Sequence, residues 1–195
     1  MRPFRLGLTG SIGTGKSTTA RFFAAEGLPV WDADAAVHRL YGPGGAAGPV
    51  LAADFPQAVG PGGVDRAALK AAITADPQAL ARIEAAVHPL VATDRVAFLA
   101  AATADIVVLD IPLLFETGAE VQMDATLTVT CPPDLQRARV LARPGMTPQM
   151  FDTILAKQMP DAEKRARATH VIETLGLTAV QESVRALIAY LRGVR

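Results

Sequence analysis

The chain has 195 residues, half of them hydrophobic and only 5% aromatic, so Ala, Leu, Val and Ile must fill a sizeable core, which excludes disorder as the dominant state. Nineteen basic residues balance nineteen acidic ones, which excludes a general electrostatic pull toward nucleic acid. The single cysteine, Cys131, excludes an internal disulfide and fits a reducing compartment.

At the N-terminus, MRPFRLGLTGSIGTGKS has neither a long apolar core nor a cleavage-like end. Phe4 to Thr9 reads as a short buried strand, Gly10 to Gly15 as a glycine-rich turn, and Lys16 to Glu26 as a helix. Leu28 to Trp31 reads as a second strand ending in Asp32-Ala33-Asp34. Residues 42–63 are punctuated by Gly42-Pro43-Gly44-Gly45 and Gly60-Pro61-Gly62-Gly63, and read as a loop-rich insertion with short helices. From Asp65, Ala67, Leu69, Ile73, Leu80, Ile83 and Val87 recur at helical spacings broken at Asp76-Pro77, with Pro77 suited to the first turn of the next helix. Ile106 to Leu109 suits a central parallel strand. The surrounding apolar stretch is too short, and too interrupted by Asp110 and Pro112, to cross a bilayer. Ala125 to Cys131 and Val171-Ile172 read as further strands. Thr178 with Gln181 forms a capping-box pattern ahead of a helix striped by Val180, Val184, Leu187, Ile188 and Leu191. Alternating strands and helices predict an α/β fold: three layers, α/β/α, around a parallel central sheet. The expected location is the cytoplasm, with no membrane and no nucleic-acid partner; oligomeric state stays open, a monomer being compatible with the sequence.

Gly10-Ser11-Ile12-Gly13-Thr14-Gly15-Lys16-Ser17 matches G-x-x-x-x-G-K-[ST] in full, between a predicted strand and a predicted helix. This is a P-loop. Its glycines let backbone N–H groups approach phosphate oxygens, and the helix start adds donors and a favourable dipole. Ser11, Ile12, Gly13, Thr14, Gly15, Lys16, Ser17 and Thr18 are the expected ATP-binding residues, with Lys16 on the β- and γ-phosphates and Ser17 on Mg²⁺. The motif alone does not separate a kinase from a hydrolase.

Asp32 and Asp34 end the second strand, where ligands gather in open α/β sheets. Asp34 is the favoured base for an alcohol acceptor. Asp110, closing a buried strand, suits a Walker-B-type role on Mg²⁺ through water. Glu116 follows Pro112-Leu113-Leu114-Phe115 and is a candidate for the ligand or the magnesium shell. His88-Pro89 follows the helical segment after the insertion, and His88 can serve structure or hydrogen-bond an acceptor. Arg137, Arg139, Arg143, Lys157, Lys164, Arg165 and Arg167 suit phosphate contacts from a lid, or an ordinary charged helical hairpin. No zinc-ligand spacing is present.

Together these residues resemble the dephospho-CoA kinase family over almost the whole chain. The resemblance rests on the P-loop, Asp32-Ala33-Asp34, Gly63-Val64-Asp65-Arg66, Val87-His88-Pro89-Leu90, Asp110-Ile111-Pro112-Leu113-Leu114-Phe115-Glu116, Gln136 through Arg139, Arg143, and Ile154-Leu155-Ala156-Lys157-Gln158. It implies transfer of the ATP γ-phosphoryl group to the ribose 3′-hydroxyl of dephospho-CoA, the last step of coenzyme A synthesis. It implies a discontinuous core (residues 1–36 and 104–195, with a small helical lid at about 140–166) and a mostly helical acceptor-binding insertion (37–103). Asp34, Lys16, Arg139 and Arg143 would be catalytic; Asp32, Asp34, His88, Asp110, Leu113 and Glu116 would meet the acceptor. Two stretches depart from the family pattern: Arg143 is followed by Pro144 instead of Asp, and Ala168 to Thr174 lacks the usual Asp and Asn. Two other readings stay open: another small-molecule or nucleotide kinase, and a regulatory nucleotide-binding module.

Overall fold

The computed structural model describes residues 2–194. β1 (Phe4–Thr9) leads through the Gly10–Gly15 turn into α1 (Lys16–Ala25). The helix closes in a Schellman-type turn, with Gly27 N–H donating to Ala24 O at 3.0 Å and Leu28 N–H to Phe23 O at 3.1 Å. That turn consumes Leu28, so β2 is only Val30–Asp32.

Asp32 ends β2 and starts α2 (Ala33–Tyr41), its Oδ1 accepting from Ala35 N–H at 2.9 Å. The expected strand end at Asp34 is therefore corrected: the strand stops two residues earlier, at the aspartate cap, and Asp34 sits in the first helical turn. α3 (Ala47–Leu51) follows, then a 3₁₀ turn at Pro56–Ala58 and a small antiparallel hairpin, β3 (Val59–Gly60) with β4 (Gly63–Val64). The sequence reading missed this hairpin, whose strands are too short to carry an alternating pattern. Asp65 caps α4 (Arg66–Ala75), accepting from Ala67 N–H at 2.8 Å. α5 runs Ala79–Ala101 straight through Pro89, so His88-Pro89 lies inside a helix and not after one, and Pro77 sits in the turn ahead of it.

β5 (Ile106–Asp110) and β6 (Ala125–Thr130) are wholly buried. α6 (Pro133–Leu141), α7 (Pro148–Leu155) and α8 (Asp161–Arg167) follow, then β7 (His170–Glu173) and α9 (Leu177–Gly193). The Thr178/Gln181 capping box does not form: α9 starts one residue before Thr178, on Gly176, with no side-chain cap.

The chain divides into two units, one running to Trp31 and resuming at Ala102, the other Asp32–Ala101. In the first, the sheet order is β2-β5-β1-β6-β7, and the β1–β5, β1–β6 and β6–β7 pairs are parallel. Alternation sorts its faces. Leu6, Leu8, Ile106, Val108, Leu127 and Val129 pack with Phe23 of α1 and Val180, Val184, Leu187, Ile188 and Leu191 of α9. On the opposite face the threonines of β6 meet the α8 region: Thr128 Oγ1 donates to Lys164 O at 3.4 Å and Thr130 Oγ1 to Asp161 Oδ2 at 2.8 Å. This is the expected α/β arrangement, a parallel sheet with flanking helices. The second unit has its own core of Leu51, Phe55, Leu69, Ile83 and Val87. Among the described residues no helix is long and apolar enough to cross a membrane.

Candidate active site

The site begins where β1 runs out between β5 and β6. The register Leu8↔Asp110 carries the β5 terminus up to the loop, and Ile111 N–H bonds Leu8 O at 2.9 Å. Thr14 N–H and Oγ1 both donate to Ser11 O, at 3.2 and 2.8 Å, closing the loop on itself. Gly13 has φ 81°, and a Cβ there would lie 2.4 Å from Val140 Cγ2, so only glycine fits the approach of α6. Gly15 precedes α1 and offers no side-chain cap, which leaves the first helical amides suited to phosphate oxygens.

Lys16 Nζ pairs with Asp110 Oδ1, and the Asp110 side chain is 1% exposed. The predicted Walker-B carboxylate is thus brought to the P-loop lysine. Ser17 lies exposed in the first turn of α1, and the buried Ser11 Oγ has no hydrogen-bond partner among the described residues. No cluster of three metal-ligating side chains exists among the described residues. The Ser17 hydroxyl and the Asp110 carboxylate are hard oxygen donors beside a phosphate loop, which suits Mg²⁺ completed by phosphate and water oxygens.

A cavity of about 340 Å³ opens beside the loop. Gly13, Gly15, Thr18 and Thr19 form one wall, Arg139 and Arg143 another, and Thr174 to Leu177 with Val180 the rest. Leu175 and Leu177 are exposed, so the cavity offers apolar walls as well as cations. Arg139 is held in place: Nη1 donates to Thr174 Oγ1 at 3.0 Å and Nη2 to Thr174 O at 2.7 Å. Thr174 Oγ1 in turn donates to Thr14 O at 2.6 Å, tying arginine to loop. Arg143 is exposed, at the first position of a turn closed by Met146 N–H on Arg143 O, with Pro144 next and Gly145 at φ 77°. Pro then Gly at positive φ is a type II turn, so Pro144 supplies a stiff bend. At the second departure, Thr169 and Thr126 exchange backbone-to-hydroxyl bonds at 3.1 and 3.0 Å, which joins β7 to β6.

Arg137, Arg167 and Lys164 are engaged in structure. Arg137 pairs with Asp152 and covers the Phe151 ring; Arg167 pairs with Glu120 and covers Phe115. Lys164 is fully buried, 2.8 Å from Glu116 Oε1 and 3.3 Å from Pro112 O. Glu116 Oε1 also accepts from Met159 N–H at 2.8 Å. Burial pushes the Glu116 carboxyl up, but the bonds from Lys164 and Met159 outweigh it and leave the pKa below its ordinary value. Leu113 is exposed in the same segment. Behind the loop, burial pushes the Cys131 thiol pKa up. Asp32, Asp34 and His88 belong to the second unit, where Asp32 is a cap while Asp34 and His88 are exposed.

Sequence reasoning gave no site-building role to Gln136, Gln158 or Thr174, and placed Lys164 among the lid cations instead of in a buried pair with Glu116. Gln136 Nε2 donates to Ile12 O at 2.7 Å, and Gln158 Oε1 accepts from Ile12 N–H at 2.9 Å. Amide side chains and a lysine on polar helices leave no periodic signal, and Thr174 stood out only as a departure.

A family model described as dephospho-CoA kinase matches residues 4–179. The chain belongs to the dephospho-CoA kinase family. A dephospho-CoA kinase of Cereibacter sphaeroides is 69% identical over 192 residues, covering 98% of each chain. One from Ruegeria pomeroyi is 58% identical over 189 residues, covering 97% of this chain and 96% of its own. A crystal structure of a Thermus thermophilus protein superposes with a TM-score of 0.86 at 39% identity over 100% of both chains. Membership makes the P-loop that of an ATP-dependent phosphotransferase, and removes the hydrolase and regulatory-module readings the motif alone left open.

Proposed function

We propose that the chain transfers the ATP γ-phosphoryl group to the ribose 3′-hydroxyl of dephospho-CoA, giving CoA and ADP, in the cytoplasm and without a nucleic-acid or membrane partner. The observation that carries this reading is the assembly of loop amides, Lys16, Asp110 and the Arg139–Arg143 cavity in a chain of this family. The P-loop from Ser11 to Thr18 cradles the phosphates of ATP, and the base and ribose occupy the cavity between Thr18 and Leu175 to Leu177. Lys16 exchanges its partner, Asp110, for phosphate oxygens. Ser17 and Asp110, the latter through water, would hold Mg²⁺, which supplies charge neutralisation on the phosphates. Arg143, with no ion pair among the described residues, and the remaining N–H groups of Arg139 face charge that develops on the transferred group.

Asp34 orients and deprotonates the acceptor hydroxyl. Within the Asp32-Ala33-Asp34 pair, Asp32 is occupied as a helix cap, whereas Asp34 is exposed and makes no side-chain bond among the described residues. Asp32, His88 and Leu113 contribute to the acceptor site, with Glu116 bracing the segment that carries Leu113. The insertion at residues 37–103 binds the acceptor, and residues 140–166 act as lid over the core. Rate enhancement comes from positioning and electrostatics, with no covalent enzyme intermediate.

The test is product formation from purified protein, ATP, Mg²⁺ and dephospho-CoA, with mass-resolved detection of CoA. CoA and ADP should appear in equal amounts, and nucleoside monophosphates or shikimate should not replace dephospho-CoA. ADP without CoA, or neither product from folded ATP-binding protein, sinks the proposal.

A further inference from the structure

Ile12 is the one P-loop residue whose N–H and carbonyl are both seen bonded to side chains among the described residues. Its N–H donates to Gln158 Oε1 at 2.9 Å and its carbonyl accepts from Gln136 Nε2 at 2.7 Å. An N–H can only donate and a carbonyl can only accept, so this pairing dictates which way each glutamine amide faces. Gln136 lies on α6, is buried, and follows the Pro132-Pro133 helix start. Gln158 lies in the short connection between α7 and α8. The next loop residue, Gly13, is closed in by Val140 of the same α6. The path of the loop at Ile12-Gly13 is therefore set from outside the loop, by α6 and by the α7–α8 connection far along the chain.

Gln158 also has a second tie one residue away. Met159 N–H donates to Glu116 Oε1, which the buried Lys164 also meets. Consecutive residues of one connection are thus bonded to the phosphate loop and to the segment after β5. Movement of α7–α8 relative to the core must break or keep the Gln158–Ile12 bond.

We propose that Gln136 and Gln158 are positioning residues: they preset the Ile12 backbone, and Gln158 couples the α7–α8 segment to nucleotide bound at the P-loop. Neither needs to touch the reacting atoms. Hydrogen exchange followed by mass spectrometry, with and without a non-hydrolysable ATP analogue and Mg²⁺, tests this together with kinetics. In wild type the analogue should slow exchange across residues 148–167. Gln158→Met keeps the length and removes the acceptor. It should speed Ile12 amide exchange in ligand-free protein by about tenfold, the effect of one lost hydrogen bond. It should also abolish the analogue's protection of 148–167, and lower kcat by about tenfold while changing KM for dephospho-CoA less than threefold. Gln158→Glu retains an acceptor for Ile12 N–H and should keep the ligand-free Ile12 protection. If Gln158→Met melts early, Gln136→Met reads the same Ile12 exchange from the carbonyl side. Unchanged Ile12 exchange in both methionine variants, or intact analogue protection of 148–167 in Gln158→Met, overturns the proposal.

Discussion

The P-loop region and the helical unit Asp32–Ala101 hold their polar groups differently. Around the loop several functional groups are anchored to protein: the Lys16 side chain on Asp110, Arg139 on Thr174, the Ile12 backbone between Gln136 and Gln158, Glu116 on Lys164. In the helical unit, Asp32, Asp65 and Asp76 are spent on helix starts and turns, while Asp34 and His88 are exposed. A preorganised donor site lowers the reorganisation needed when charge develops. In the proposed reaction Asp34 and His88 take their geometry from the acceptor, so substitutions there should separate chemistry from stability.

Lys16→Met should break this contrast most severely, because it removes a phosphate contact and leaves Asp110 buried beside an apolar chain. Breaking a buried ion pair costs about 3–5 kcal/mol, and turnover should fall by about a thousandfold or more. Both denaturant midpoint and kcat are read; a variant of wild-type stability would show that Asp110 is held by its other surroundings. Asp34→Asn is the counterpart in the helical unit. Turnover should drop by about 10²–10⁴ with the melting temperature and ATP affinity unchanged, because the residue is exposed. Near-normal turnover removes Asp34 as the base.

Glu116→Gln sharpens the contrast by pH. The folded carboxyl ionises below its ordinary 4.5, so its stabilisation is complete above that pH and is lost as pH falls through the lower folded value. Glu116→Gln should cost about 2 kcal/mol at pH 7, since Lys164 keeps a neutral acceptor but loses its counter-charge. The penalty should shrink toward acid in a melting-temperature series. A penalty independent of pH would mean that packing, and not ionisation, ties this segment to α8.

Much of this contrast was legible in the sequence on one side only. The loop, its lysine and the carboxylate after Ile106 to Leu109 are local signals, and a strand, a glycine turn and a helix place them without tertiary information. Asp34 was placed at a strand end, but Asp32 accepts a helix amide and starts α2 first, so Asp34 stands exposed in a helical turn. His88-Pro89 was placed after the helical segment, yet α5 continues through it. The roles of Gln136 and Gln158 in shaping the loop were invisible, and Lys164 was read as a lid cation instead of the partner of Glu116, because the contacts that decide these roles, such as Gln136 to Ile12 and Gln158 to Ile12, join residues 124 and 146 positions apart.

Thr174 offers the smallest and most discriminating test. Its hydroxyl donates to Thr14 O and accepts from Arg139, while its carbonyl takes a second Arg139 N–H at 2.7 Å. Thr174→Val keeps the side-chain shape that packs near Gly15 and removes only the hydroxyl. The arginine then retains its carbonyl bond, so the loss should be about 1 kcal/mol, seen as a roughly fivefold higher KM for ATP with kcat little changed. Thr174→Ser, which restores the hydroxyl, should recover most of the affinity. If Val and Ser behave alike, the carbonyl alone holds Arg139, and the loop is organised by α6 and the two glutamines without help from the β7 side. If Val fails and Ser recovers, the phosphate loop is braced from both ends, at Ile12 and at Thr14, and the site arrives at its nucleotide already shaped.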